Sequence, residues 1–499
     1  MVGDFDADGA TGCAVAVAGL RLLGADHPQF AVPHRAVHGY GLGPALVDSL
    51  RPRAPQLIVT VDNGISSIAG VAAAQAIGVP VLVTDHHLPG AQLPQAAAIV
   101  NPNLPGDPFP SKALAGVGVM FYLLLATRAA LRRDGWFSGQ RSEPDLAVLL
   151  DLVAVGTVAD LVPLDRNNRV LVAAGLRRIR AGLACAGIKA LFAVAGRDPE
   201  RACASDLGFA IAPRINAAGR LDDMAIGVHC LLSADPAEAQ RLAAQLDAIN
   251  AERRELQASM TDEAAAILAA IHAPDNPPAG VCMFDPGWHP GVVGLVASRI
   301  KEQLHRPVVA FAPVTEGADE LRGSGRSIEG FHLRDALAEV DALCPGLLTR
   351  FGGHAMAAGL SLPRSAYPLF AKLFAEVAAR RLDRCVDDPR FWSDGEIAAG
   401  DATLQLADTL REAGPWGQAF PEPCFDGLFE VDAVRVVGVR HQRLRLRHVE
   451  CGTCVDAMHF GGVAEGEPAA RIRVLYQLAA DEWRGERRVR LFVRYREPA

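Results

Sequence analysis

The chain has 499 residues, half of them hydrophobic and 21% charged, with 33 Pro and 48 Gly spread along it, which excludes a disordered chain and supplies material for about three domains. A net charge of −8 excludes a uniformly basic nucleic-acid coat, while a local basic groove stays compatible with it. Ten cysteines without disulfide-like spacing imply a reduced, cytoplasmic setting, and no apolar run reaches membrane length.

The N-terminal stretch Asp4-Phe5-Asp6-Ala7-Asp8-Gly9 places three carboxylates on alternate residues. On a strand these share one face, so they are expected to converge where Gly9 lets the chain turn. Alone, such a run is most simply a solvated acidic turn. Residues 11–24 form an apolar helix with Gly24 as its C-cap. A short strand at Phe30 to Val32 follows, then a loop with Arg35, whose plain reading is an exposed arginine. Leu57 to Val61 is β-branched and stops at Asp62-Asn63-Gly64; Val79 to Thr84 stops at Asp85-His86-His87. Both read as buried parallel strands, and the Ala-rich helix between them makes one βαβ unit. Gly116 and Gly118 lack a preceding strand and the full G-x-G-x-x-G spacing, so they indicate close helix packing rather than a dinucleotide loop. Asp151 to Asp160 is another apolar run ending in a carboxylate.

Four termini offering Asp or His make a pocket outside the carboxyl ends of the strands. Carboxylates with one or two imidazoles and no cysteine suit Mn²⁺ or Mg²⁺. Six or so ligands exceed one ion's need, and two ions about 3.5–4 Å apart, bridged by Asp62, would serve in-line attack on a phosphoester.

Phe209 to Leu221 carries Arg214, Asn216 and Arg220 among small residues and reads as a loop that grips a phosphate backbone. Asp235 to Ile271 is a long helix, with a packing stripe as its simplest role, and 273–278 is a Pro-rich boundary. The second domain has strands near Gly280 and Pro307, a helix from Val292 to Leu304, and small-residue loops at Ser324-Gly325-Arg326 and Gly352-Gly353-His354. After Asp383, five short strands suggest a β-barrel. Residues 431–499 hold 13 Arg against 9 Asp plus Glu, a local net of +4. Arg443, Arg445 and Arg447 share one strand face, either a charge-protected edge or a nucleic-acid groove. Cys451 and Cys454 lack the second pair that a zinc site needs.

The segments GDFDADGATG, VDNGIS, TDHH and GTVAD, in that order, resemble the DHH phosphoesterase superfamily, and within it the RecJ-type single-strand-specific exonucleases. PHRAVHGYGL, GFAIAPRINAAGRLDDM, WHPGVVGLVASRIKE, LRGSGR, FGGHAMAAGLSL and AGPWGQAFPEP extend the likeness over essentially the whole chain. The resemblance implies an α/β fold: a parallel-sheet DHH domain (1–234), a connecting helix (235–272), a smaller α/β DHHA1 domain (273–382) and an OB-like barrel (383–499). It implies that Asp6, Asp8, Asp62, His86 and Asp160 hold two cations, Mn²⁺ or Mg²⁺, with His87 beside the scissile phosphate as an electrophilic or acid group. Asp85 and Asp4 would support ligands rather than bind. Arg35, Arg214, Ser324 and Arg326 would anchor a 5′ phosphate, Asn216, Arg220, Gly353 and His354 would line the substrate path, and the three barrel arginines would form a groove. The implied activity is hydrolysis of single-stranded DNA from a 5′ end to mononucleotides in repair and recombination. The implied partners are that DNA, a single-strand-binding protein and a helicase, with no membrane. Two rivals are a DHH hydrolase of short oligonucleotides or cyclic dinucleotides and an inactive DNA-binding scaffold. Relatives carry a full strand ahead of the acidic motif, whereas this chain starts three residues before Asp4, so that strand is expected to fray and to seat the metals weakly.

Overall fold

The computed structural model describes the chain except residues 36, 140, 272–277, 316, 383–390, 399 and 484–485, and the side chains of 269–271, 464 and 482–483. Three short parallel strands, β1 (Ile58–Val61), β2 (Val81–Thr84) and β3 (Ala98–Val100), stand side by side in that order. Their Val, Ile and Thr side chains suit a pleated ladder, and β1 is buried throughout because helices cover both faces. The helix Ile68–Ala76 makes the expected crossover from β1 to β2.

Val2 bridges both Thr60 and Ala31 in parallel, its N–H donating to the Val59 carbonyl and its own carbonyl accepting from Val61, each at 2.8 Å. The acidic motif itself is not strand. The chain leaves the sheet and enters the helix Ala7–Leu23 with Asp6 as N-cap, its carboxylate accepting from Gly9 N–H at 3.0 Å. Alternation therefore does not align the carboxylates: Asp4 precedes the cap, Asp6 is the cap and Asp8 lies in the first turn. Aspartate satisfies the orphan N–H groups of a helix start, which outweighs strand alternation here. Gly9 makes no turn; a Cβ there would overlap the Asp4 backbone. The helix ends as expected, with Gly24 left-handed at φ +92°.

The helices Gly116–Arg133 and Leu150–Ala159 pack on this first helix, burying Cys13, Ala14, Val117, Met120, Leu124, Val153 and Ala154. The expected loop at 209–221 is instead the helix Ala212–Leu221, after a π-helical turn, Leu207–Ile211. Pro213 sits in its first turn, where a missing N–H costs nothing, and the small residues admit neighbouring backbone: a Cβ on Gly219 would overlap the Phe5 carbonyl. The 36-residue helix Pro236–Ile271 buries Leu242 and Leu246 in the first domain's core and Met260 and Ala264 in the second's, so it both connects and packs.

The second sheet contains β4 (Val281–Phe284), β5 (Val308–Pro313), β6 (Glu320–Arg326), β7 (Arg350–Gly353) and β8 (Ala357–Pro363) in the order β4-β5-β6-β8-β7. Only β4 and β5 run parallel. Ser324–Arg326 and Gly352–Gly353 thus belong to strands, not loops. Glycine suits β6 because Phe311 and Leu360 fill the space over Gly323, with Leu333 over Gly325.

The third domain is a closed barrel, β10-β11-β13-β12-β9, built from β9 (Phe425–Val437), β10 (His441–His448), β11 (Cys454–His459), β12 (Arg471–Trp483) and β13 (Glu486–Pro498). All five expected strands are present. A segment before the barrel docks on the first domain: the Gln418 carbonyl accepts from Leu164 N–H at 2.7 Å, and the Arg169 guanidinium lies 4.1 Å over Phe420. Arg440 pairs with Asp262 of the long helix at 2.9 Å. The expected boundaries near 273–278 and 383 lie largely outside the described residues. Among the described residues no helix is long and apolar enough to cross a membrane, and the cysteines are free.

Candidate metal centre

The ends of β1, β2 and the 150–159 helix meet the start of the 7–23 helix. Asp62, just past β1, is buried and held at φ +62°, a conformation that an aspartate keeps only where its surroundings impose it. His86 Nε2 lies 3.0 Å from Asp62 Oδ1 and 3.5 Å from Asp160 Oδ2. These short distances are not hydrogen bonds: Nε2, Asp62 Oδ1 and Asp4 Oδ1 are buried without hydrogen-bond partners. Burial, then the neighbouring His87, pulls the His86 pKa to about 4, and its ring bonds to the Leu114 backbone, so the imidazole is neutral and turns a lone pair toward carboxylates.

Three groups bring their donor atoms within 4.8 Å: Asp4, Asp6 and Asp62; Asp8, His86 and Asp160; and Asp62, His86 and His87. Every ligand expected from the sequence is therefore in one cluster, and Asp4 faces it directly rather than standing behind it. Burial first, and mutual repulsion second, raises the carboxyls of Asp4, Asp62 and Asp160 well above the usual range and Asp8 to about 7. Oxygen-rich, mutually repelling and short of donors, the set fits a pair of hard divalent cations.

Asp85 turns inward. Its Oδ1 accepts from His86 N–H (2.7 Å), His87 N–H (3.1 Å) and His87 Nδ1 (2.7 Å), and its Oδ2 from Ile65 N–H (2.9 Å). Burial alone would lower the His87 pKa, but this hydrogen bond and the charges of Asp85, Asp4 and Asp6 raise it. His87 Nε2 faces the Tyr40 hydroxyl at 3.4 Å, and that hydroxyl donates to the Asp62 carbonyl, also at 3.4 Å. Asn101 and Asn103 donate to the carbonyls of His87 (2.9 Å) and His86 (2.6 Å). Asp8 accepts from Gly116 N–H at 2.6 Å and Val117 N–H at 2.9 Å. Tyr40, Asn101, Asn103 and Gly116 were not identified as site residues from sequence; the one available signal was two asparagines immediately after β3.

Arginines gather beside the carboxylates. Arg35 lies 3.9 Å over the Phe5 ring and donates to the Gly219 carbonyl at 3.2 Å. Arg220 donates to the Gly291 carbonyl of the second domain at 3.3 Å. Burial, then Arg35, Arg326 and Arg253, pulls its pKa to about 10. Arg326 donates to Ser324 Oγ (3.1 Å) and the Gly325 carbonyl (2.8 Å), and burial, then Arg35, lowers its pKa. Three guanidiniums from two domains thus repel one another around a common space. His354 feels His87 across the same cleft, with Gly353 before it at φ +141°. Arg214 instead pairs with Asp247 at 2.9 Å, and the Asn216 side chain accepts from Ala7 N–H at 2.8 Å, so these two serve helix packing and capping. On the barrel, Arg443 and Arg445 share Asp456 (2.8 and 3.3 Å) and Arg447 pairs with Asp432 (2.9 Å), so that face alternates charge. Cys451 and Cys454 are exposed, and Cys454 Sγ donates to Asp432 at 3.6 Å.

A parallel-sheet domain carrying this aspartate–histidine cluster, faced by a mixed-sheet domain, defines a protein of the DHH type: residues 1–157 match the DHH family N-terminal domain and 276–380 the DHHA1 domain. Residues 393–495 match the RecJ OB domain. The single-stranded-DNA-specific exonuclease RecJ of Escherichia coli (strain K12) is 51% identical over 498 residues, 99% of this chain and 86% of that protein. Its Dickeya dadantii counterpart is 52% identical over 503 residues, 100% and 87%. RecJ of Thermus thermophilus in complex with Mn²⁺ superposes with a TM-score of 0.80 at 32% identity, over 100% of this chain and 68% of that one; its Mg²⁺ complex gives 0.74 at 30%, over 100% and 67%. The chain belongs to the RecJ family.

Proposed function

We propose that this chain is a divalent-metal-dependent exonuclease that hydrolyses single-stranded DNA from the 5′ end, releasing mononucleotides. The single observation that carries the reading is the adjacency of a donor-poor carboxylate–imidazole cluster to three converging arginines, Arg35, Arg220 and Arg326. Asp6, Asp8, Asp62, His86 and Asp160 would hold the metals, with Asp4 beside them and Asp85 fixing the two histidines. When bound, a pair of divalent cations supplies a water acidic enough to act as hydroxide and neutralises charge on the phosphate.

The chain's own residues do the rest. Arg35, Arg220 and Arg326, with Ser324, bind the terminal phosphate, which only a strand end offers. This sets the scissile bond one nucleotide from the end. Asp85 accepts from His87 Nδ1 and favours the protonated ring, whose Nε2–H then faces the site, where it stabilises charge on the departing oxygen. Arg443, Arg445 and Arg447 would track the trailing strand on the barrel, exchanging Asp456 and Asp432 for phosphates. A role in repair and recombination, a cytoplasmic location, and delivery of strands by a helicase and a single-strand-binding protein belong to the same reading and rest on family likeness.

The deciding assay gives the purified chain 5′-labelled and 3′-labelled single strands, with duplex controls, in Mn²⁺ and in Mg²⁺. A labelled mononucleotide should appear at once only from the 5′-labelled strand; its early release from the 3′ label would overturn the polarity.

A further inference from the structure

We infer that Gly116 is a positioning residue for the reaction, setting the spacing of Asp8 and Asp62; this rests on the metal-centre reading above. The two carboxylates come from separate parts of the chain: Asp8 groups with His86 and Asp160, while Asp62 groups with Asp4 and Asp6 and again with His86 and His87. His86 is common to both, so the spacing of Asp8 and Asp62 sets how the donor groups overlap. Both rest on one mount, the first turn of the 116–133 helix.

Asp8 takes the N–H groups of Gly116 and Val117, which have no partner within the helix. The other side of Gly116 lies against Asp62. A Cβ added there would overlap the Asp62 Cβ and stand 2.7 Å from its Cα and 2.9 Å from its Cγ. The Asp62 backbone has no slack to give: Asn63 Nδ2 donates to the Val2 and Val61 carbonyls at 3.0 and 2.9 Å, and Gly64, at φ +114°, packs on Thr60. The helix cannot retreat without lifting both N–H groups from Asp8. Gly118 differs, because a Cβ there meets Leu114 Cδ2 at 3.1 Å, the end of a side chain that can move. The two glycines of this turn thus have separate roles, one in the metal centre and one in ordinary packing.

The test compares Gly116→Ala and Gly118→Ala in the full chain by Mn²⁺ titration without substrate, read by paramagnetic resonance, and by kinetics on single strands. Gly116→Ala should weaken Mn²⁺ binding by about 10–100-fold, the range seen when a group that orients metal ligands is lost. It should lower kcat with KM unchanged, while Gly118→Ala matches the parent. A melting cycle adds Asp62→Gly: the double variant should melt higher than the sum of the single shifts, because the overlapping Cβ is gone. Parent-like Mn²⁺ binding by Gly116→Ala, or strictly additive melting shifts, would overturn the inference and leave the metal centre standing. A parent chain that binds no Mn²⁺ would remove the reading beneath it.

Discussion

Asp62 concentrates the chemistry of the site in one side chain. It is buried, conformationally strained and 3.0 Å from an imidazole that offers no proton. Asp62→Ala should abolish turnover, with a loss beyond the roughly 10–100-fold of an outer orienting group; hydrolysis at the parent rate would remove the assignment. Arg326→Ala should act on engagement, raising KM for a 5′-phosphorylated strand about tenfold or more, since a charged hydrogen bond is worth roughly 1.5–3 kcal/mol. A strand without the phosphate should not notice the change. The residue types at these positions were legible because divalent-cation chemistry demands oxygen and imidazole. The partners that hold them, Tyr40, Asn101 and Asn103, were not, because a hydroxyl or amide in a loop has many ordinary uses.

At the scale of elements, the acidic run shows how tertiary contact overrides a local pattern. Asp4, Asp6 and Asp8 alternate, yet helix capping decides the backbone, and convergence comes from three different local geometries. Metal removal acts at this scale, since the cluster joins two strands and two helices. The Asp8 carboxyl, raised from 3.8 to about 7, binds a proton more tightly folded than unfolded, so in chelator stability falls as pH rises through that window. Mn²⁺ should cancel the loss: the difference in Tm between Mn²⁺ and chelator should widen from about pH 5 to about pH 8. A constant difference would contradict the repulsion argument. In β6, Gly323→Val would push into Phe311 and Leu360 and should cost about 1–3 kcal/mol, as overpacking does. Denaturant unfolding measures it. Small residues there and at 209–221 read as loops in the sequence, because close packing and flexibility use the same amino acids.

At the scale of the whole molecule, two domains meet at the arginine cluster and the barrel is fastened to the first domain through Gln418 and Phe420. Replacing Arg443, Arg445 and Arg447 with Ala should weaken binding of long single strands and flatten its salt dependence, while a dinucleotide is cleaved as before. Equal loss on both substrates would take the barrel out of substrate binding. The sequence by itself determined the strand termini that bear the aspartates and histidines, the long connecting helix and the five barrel strands, because periodicity and β-branching are local properties. Only the tertiary structure decided which carboxylates draw together, that Arg35, Arg220 and Arg326 meet while Arg214 and Asn216 are engaged in packing and capping, and that Gly116 touches Asp62. Those contacts join residues dozens to hundreds of positions apart, and their geometry follows from how helices and sheets pack.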